Sequence, residues 1–209
     1  MKHFNSGNIF GKVLEVKPER SDNGKDYLQI SMDVSGEKSG RVTAYCRLWD
    51  GDRGRCAEFM NEWKRFPNVI YWMKGFLGQY TSREGKVLSN FTIFQWERKE
   101  TAGKRAVFIL KGEVTSQPSG LNDGGQRFIM TVNRDGANNN TQSEEFELWA
   151  PGEKLLDQVA HGDLVEVKGL IRQKDVEDFY GGSDGPIRAY VDILKIIQEQ
   201  SAAADDITY

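Results

Sequence analysis

Cysteine and histidine are scarce in this 209-residue chain, and long apolar runs are missing altogether. The two cysteines, Cys46 and Cys56, lie ten residues apart with no histidine nearby. That spacing matches no zinc site and supplies no disulfide framework, so a reducing cytoplasm is the expected compartment. The two histidines, His3 and His161, are far apart in unrelated contexts, which excludes a histidine-based catalytic pair within one local motif. No stretch approaches the roughly 18 apolar residues of a membrane span, and Met1–Gly7 lacks the apolar centre of a secretory signal. Gly-x-Ser-x-Gly elbows and Walker-type phosphate loops are missing too. Acidic residues are plentiful but do not cluster at metal-ligand spacings. The expectation is a non-enzymatic protein with no cofactor, no metal and no membrane partner.

What is present is a globular composition, 38% hydrophobic and 28% charged, and a repeat. Leu48-Trp49 returns as Leu148-Trp149, and Lys74-Gly75 returns as Lys168-Gly169. Gly11-Lys12-Val13 is echoed by Gly112-Glu113-Val114, and Phe91–Phe94 by Tyr190–Ile193. Around these marks the periodicity alternates between two kinds. Period-two patterns predict strands over Ile9–Val16, Tyr27–Val34, Arg41–Trp49, Val69–Leu77 and Val87–Trp96. Between the third and fourth, Cys56, Phe59, Met60 and Trp63 fall at i, i+3, i+4 and i+7, which predicts a helix from Arg55 to Phe66, ended by Pro67. Trp63 lies on that stripe and is read as core. The second half repeats the order: strands over Ala106–Thr115, Arg127–Asn133 and Glu144–Trp149, a helix over Glu153–Ala160, then strands over Leu164–Arg172 and Ile187–Ile197. Ser116–Gly125, Asp135–Ser143 and Lys174–Gly185 read as loops. Five strands with a helix between the third and fourth is the order of an OB-fold. The fold expected is mainly β: two tandem OB-fold barrels and a short acidic C-terminal tail. The domain bounds are 1–100, 101–198 and 199–209.

The halves differ in charge. Residues 1–100 hold 17 Lys and Arg against 13 Asp and Glu, whereas residues 101–209 hold 11 against 18. Fifteen of the 23 aromatic residues also fall in the first half. A basic, aromatic half joined to an acidic one points to a division of labour.

Several segments together resemble the bacterial and phage single-stranded DNA-binding proteins, the SSB family. They are Asn122-Asp123-Gly124-Gly125 before a strand, Glu144-Glu145-Phe146, Pro151-Gly152-Glu153-Lys154-Leu155, and His161-Gly162-Asp163-Leu164-Val165-Glu166-Val167-Lys168-Gly169. The end of the chain, Asp205-Asp206-Ile207-Thr208-Tyr209, is similar to that family's acidic tail, with Thr208 and Tyr209 where the family has proline and phenylalanine. The resemblance implies single-stranded DNA binding in replication, recombination or repair. It also implies partner proteins recruited through Asp205, Asp206, Ile207 and Tyr209, and, with two OB-folds in one chain, a homodimer or a phage- or plasmid-type monomer.

Sequence-tolerant binding of a single strand needs cations for phosphates and exposed rings for bases. In the third strand the residues opposite the core set are Tyr45, Arg47 and Trp49; in the fourth they are Trp72, Lys74 and Phe76. Tyr80, Arg83 and Lys86 extend this set along the following loop. In the second half Glu145 and Glu147 stand where Tyr45 and Arg47 do, and two carboxylates there repel phosphate. Trp149, Lys168 and Arg172 remain as its contribution. Two other functions fit the same pattern: an OB-fold that binds RNA, and a tandem-barrel assembly module in which Trp72 and Phe76 are buried against protein.

Overall fold

Alternation of apolar and polar side chains shapes most of the molecule. The computed structural model describes residues 3–36, 42–51, 54–81, 85, 87–120, 125–135, 141–150, 157, 159–175 and 184–198. Among them are eleven strands and one helix: β1 (Phe4–Arg20), β2 (Asp26–Asp33), β3 (Thr43–Trp49), α1 (Arg55–Arg65), β4 (Ile70–Thr81), β5 (Val87–Lys99), β6 (Arg105–Val114), β7 (Ser119–Gly120), β8 (Gln126–Asp135), β9 (Thr141–Ala150), β10 (Leu164–Asp175) and β11 (Asp184–Gln198). The ten expected strands are all found. The eleventh corrects the reading of Ser116–Gly125 as loop, because Ser119 and Gly120 pair with Arg127 and Gln126. A two-residue bridge has no periodicity to read. The helix expected over Glu153–Ala160 lies, apart from Asp157, Val159 and Ala160, outside the described residues, as does the tail from 199 onward.

The strands join in the order β2-β3-β5-β4-β1-β6-β10-β11-β9-β8-β7. Two further pairings, β2 with β1 and β6 with β8, bring each half back on itself. The first half thus closes a ring β1-β2-β3-β5-β4 and the second a ring β6-β8-β9-β11-β10. In each, the third and fifth strands run parallel, Cys46 opposite Phe91 and Trp149 opposite Tyr190. Inside the rings sit the residues that alternation turns inward. Ile9, Ile30, Met32, Leu48, Tyr71 and Met73 fill the first; Phe108, Leu110, Phe128, Met130, Phe146 and Val167 fill the second.

The helix α1 starts where Gly54, at φ 64°, turns the chain and Asp50 accepts a hydrogen bond from the Cys56 N–H at 2.7 Å. Its apolar stripe docks Phe59, fully buried, edge-on against Tyr71 and Trp96. Removing a phenylalanine side chain from water is worth about 2–3 kcal/mol. Trp63 is partly buried and packs on the same core, as the stripe predicts. At the far end Phe66 caps the helix with its N–H on the Glu62 and Trp63 carbonyls.

The two rings meet where β1 pairs with β6. Phe4–Phe10 of β1 pairs antiparallel with Lys111–Arg105 of β6, while Gly7–Lys12 pairs with β4 on the other side. A side-chain contact reinforces this joint. Gln79 of β4 donates from Nε2 to the Glu147 carbonyl at 2.9 Å and accepts the Glu147 N–H at 2.6 Å, so its amide acts as one more residue of strand. At the start of β1, His3 Nδ1 accepts the Asn133 N–H at 2.8 Å. Lys104, in the connector between the rings, pairs with Asp33 at the end of β2. Replacing Gln79 by Ala removes these two hydrogen bonds and a third, from Nε2 to Ser89 Oγ at 3.2 Å, and leaves the Glu147 N–H without its side-chain acceptor. The expected loss is about 2 kcal/mol of stability, read as a lower urea midpoint. An unchanged midpoint would show that strand pairing alone holds the rings together.

Candidate nucleic-acid interface

One transverse row crosses the outer face of the first ring: Gln29 on β2, Arg47 on β3, Thr92 on β5 and Phe76 on β4. It lies outward because its neighbours along each strand, Leu28 and Ile30, Cys46 and Leu48, Phe91 and Ile93, are core. Tyr27 pairs with Trp49 one step along this face, with ring centroids 4.9 Å apart. The Arg47 guanidinium sits 5.7 Å from the Tyr27 ring centroid and 5.6 Å from that of Tyr80. Trp49, Tyr27, Arg47 and Tyr80 therefore form a ladder of ring, ring, cation and ring, with Tyr45 exposed beside it. Beyond Trp49 a cleft opens along the β1–β2 turn, lined by Ser21, Asn23 and Lys25. At the other end, Tyr80 leads into residues 82–86, where Arg83 and Lys86 lie outside the described residues. Among the described residues Arg47 makes no ion pair, so its charge is offered to solvent and to anything that docks there.

The fourth strand divides its three sequence-predicted residues. Phe76 stacks on Phe94 at 5.1 Å, and Lys74 Nζ lies 6.0 Å from the Phe94 ring. Phe94 is itself 40% exposed, turned out by the register shift of β4 against β5 between Lys74 and Gly75. Trp72 belongs to a different neighbourhood. Its Nε1–H donates to Asn8 Oδ1 on β1 at 3.1 Å, it pairs in register with Phe10, and Lys99 Nζ lies 5.7 Å from its ring. A tryptophan held by its N–H in this way is less free to meet a base than the half-buried Trp49.

In the second ring the offset of one hundred residues holds in space. Thr131 pairs with Glu145, Ile129 with Glu147 and Arg127 with Trp149, as Ser31 pairs with Tyr45, Gln29 with Arg47 and Tyr27 with Trp49. The carboxylates thus occupy the places of Tyr45 and Arg47. The remaining groups contact one another, with Arg172 Nε buried and without a hydrogen-bond partner. Trp149 lies between the guanidinium groups of Arg188, 3.7 Å away, and Arg127, 5.8 Å away. Arg127 reaches Glu147 Oε2 at 3.4 Å. Arg172 donates to Asp192 Oδ1 at 2.8 Å and covers Tyr190. Lys168 is elsewhere, in a groove at the junction of the rings with Lys104, Arg105 and Leu170.

Sequence reasoning missed Tyr27, Phe94, Arg127 and Arg188. Tyr27 was findable, since it opens the strand that a hairpin places opposite Trp49. Phe94 was not, because a register shift breaks the period-two count. Both cysteine thiols are held in the protonated form. Burial pushes the Cys46 thiol far above its ordinary range, and burial with the nearby Asp50 carboxylate pushes Cys56 up to about 11.

No protein-family model matches the sequence, and no curated protein sequence matches it significantly. Among solved structures, the chain is similar over 98% of its length to the wild-type single-stranded DNA binding protein of Thermus aquaticus, with 16% identity, a TM-score of 0.61 and 98% of that chain covered. It is similar over the same share to a deletion mutant of that protein, with 15% identity, a TM-score of 0.62 and 99% of the other chain covered. Over 98% of its length, this chain has the fold of the Thermus single-stranded DNA-binding protein, as the sequence resemblance implied.

Proposed function

We infer that the chain binds single-stranded DNA through the outer face of its first ring. The observation that carries this is the Trp49–Tyr27–Arg47–Tyr80 ladder, which interleaves stacking surfaces with a cation that makes no ion pair among the described residues, on the face formed by the second and third strands. OB-folds present this face to oligonucleotides. Bases stack on the rings whatever their identity, and the cations neutralise phosphates, so binding is sequence-tolerant and weakened by salt. In this reading each ring is one OB-fold barrel, residues 1–100 and 101–198. The first binds DNA, while the second, with its carboxylates in place of Tyr45 and Arg47, contributes mainly to assembly as a homodimer. The chain works in the cytoplasm without catalysis, coating strands in replication, recombination or repair. Its tail, Asp205, Asp206, Ile207 and Tyr209, recruits partners by docking carboxylates on a basic patch and an aromatic in a pocket.

Tryptophan fluorescence tests the interface directly. Oligo-dT is expected to quench the wild type strongly at low salt and weakly at high salt. Trp49→Ala should lose most of that quenching. Trp72→Ala should keep most of it, because Trp72 is engaged with Asn8. Quenching that vanishes only in Trp72→Ala would move the platform to β4. No quenching and no binding at any salt would remove the DNA reading and leave a protein-assembly module.

A further inference from the structure

The second half of the chain is acidic, yet its cations are not scattered. Of the eleven Lys and Arg in residues 101–209, five stand on or beside the outer side of β6, β10 and β11: Lys104, Arg105, Lys111, Lys168 and Lys195. Three of these, Lys104, Arg105 and Lys168, line a groove of about 970 Å³ at the junction of the rings. Strand register lays its apolar floor. Val107 lies opposite Leu170, and Ile109 opposite Lys168, which meets Ile193 on its other side. Ile193 is 58% exposed, so Lys168 stands within an apolar row open to solvent. Neither Lys168 nor Arg105 makes an ion pair among the described residues, and the Arg105 guanidinium lies 5.0 Å from the Phe10 ring centroid. The other charges here have partners: Lys104 pairs with Asp33, Asp192 with Arg172, and Glu166 lies in register between Lys111 and Lys195. A contiguous apolar surface set among free cations fits a partner that is both acidic and apolar.

We propose that this groove is the docking site of the chain's own segment Asp205-Asp206-Ile207-Thr208-Tyr209, its carboxylates on Lys168 and Arg105 and its Ile207 and Tyr209 side chains on the apolar floor. Charge selects this occupant. Residues 199–209 hold three carboxylates, Glu199, Asp205 and Asp206, and no Lys or Arg. A second copy of the chain laid on the same face would set these cations against their own kind. Reach permits it as well. Gln198 lies opposite Leu164, and Lys168 is four residues along the same strand, about 13 Å away. The eight residues 199–206 span up to about 27 Å when extended, enough to bring both aspartates past Lys168 toward Arg105. The groove is apart from the Trp49–Tyr27–Arg47–Tyr80 ladder, so a docked segment leaves the ladder open. It is, however, withheld from other proteins. If the segment recruits partners as read above, a partner has to displace it from the groove first. The docking itself depends neither on DNA binding nor on recruitment.

The test titrates a fluorescein-labelled peptide of residues 199–209 with the full-length protein at low salt, by fluorescence anisotropy. Wild type is compared with a tail variant that carries Asp205→Asn, Asp206→Asn and Tyr209→Ala together. In the wild type the tethered segment competes at an effective concentration on the order of millimolar, so the tail variant is expected to bind the peptide about tenfold more tightly. Lys168→Glu added to the tail variant should weaken the peptide by about tenfold, whereas Arg47→Glu added in its place should leave it unchanged. Thermal melts show that each variant is folded, and size-exclusion chromatography reports its oligomeric state. Equal peptide affinity for wild type and tail variant, or no binding to the tail variant, would overturn the docking. A loss that follows Arg47→Glu and not Lys168→Glu would move the segment to the ladder and overturn it too. A change of oligomeric state in Lys168→Glu at unaltered peptide affinity would make the groove an interface between copies instead. No partner protein and no DNA enter the titration, so each of these failures leaves the recruitment and DNA readings standing.

Discussion

Arg47→Glu is expected to lower affinity for oligo-dT by roughly two orders of magnitude at low salt, and to flatten the dependence of log K on log salt by about one unit. The substitution places in the first ring the residue type that the second ring carries at the equivalent position, Glu147. Two effects combine. A cation that makes no ion pair among the described residues is lost, together with its contacts to Tyr27 and Tyr80. A carboxylate then faces the phosphates, and near a surface a pair of unit charges about 4 Å apart interacts by about 4 kcal/mol. Arg47→Ala separates the two effects and should lie between wild type and Arg47→Glu. The measurement is a titration at several salt concentrations. Equal affinity for wild type and Arg47→Glu would place the strand on another face.

The second large effect concerns stability. Gly169→Ala is expected to lower the stability of the fold by about 3 kcal/mol, the upper range for overpacking a close contact, and the melting temperature by roughly 10 °C for a chain of this size. A Cβ at Gly169 would collide with the Tyr190 carbonyl oxygen and the Phe108 ring. Gly75 occupies the same place in the first ring, where a Cβ would collide with the Thr92 carbonyl. Both glycines sit at register shifts, of β4 against β5 and of β10 against β11. There two strands approach too closely for any side chain. Gly103→Ala, in the connector and with open space around it, serves as the control and should change stability by less than about 0.5 kcal/mol. Equal melts for the two variants would show that the crossing can open at little cost.

The repeated Lys-Gly pair illustrates how much of the fold could be read in advance. As sequence, Lys74-Gly75 and Lys168-Gly169 marked the module as written twice; in space, each glycine is the tight crossing that lets its ring close. The inward residues were legible as well. Val42, Ala44, Cys46 and Leu48 alternate with Tyr45, Arg47 and Trp49, and the first set is buried to within 1%. Alternation reports which side of a strand faces the core, because successive side chains point to opposite sides. It does not report which outward residues come together. Tyr45, Arg47 and Trp49 join Tyr80 and the unpredicted Tyr27, whereas Trp72 turns to Asn8 and Lys168 lies in the groove between the rings.

The amino-acid sequence by itself determined the succession of strands along the chain, the inward and outward sides, the single described helix and the opposed charges of the two halves. Each of these is set by local periodicity and composition. The tertiary structure alone decided the rest: that β1 of the first ring pairs with β6 of the second, that Gln79 completes a strand contact with Glu147, and that Arg47 meets two tyrosines while Trp149 meets two arginines. These depend on strand register and on pairs of residues distant in the sequence, from Arg47 with Tyr27 to Gln79 with Glu147. Such partners are chosen by the closing of the rings, which no local pattern encodes.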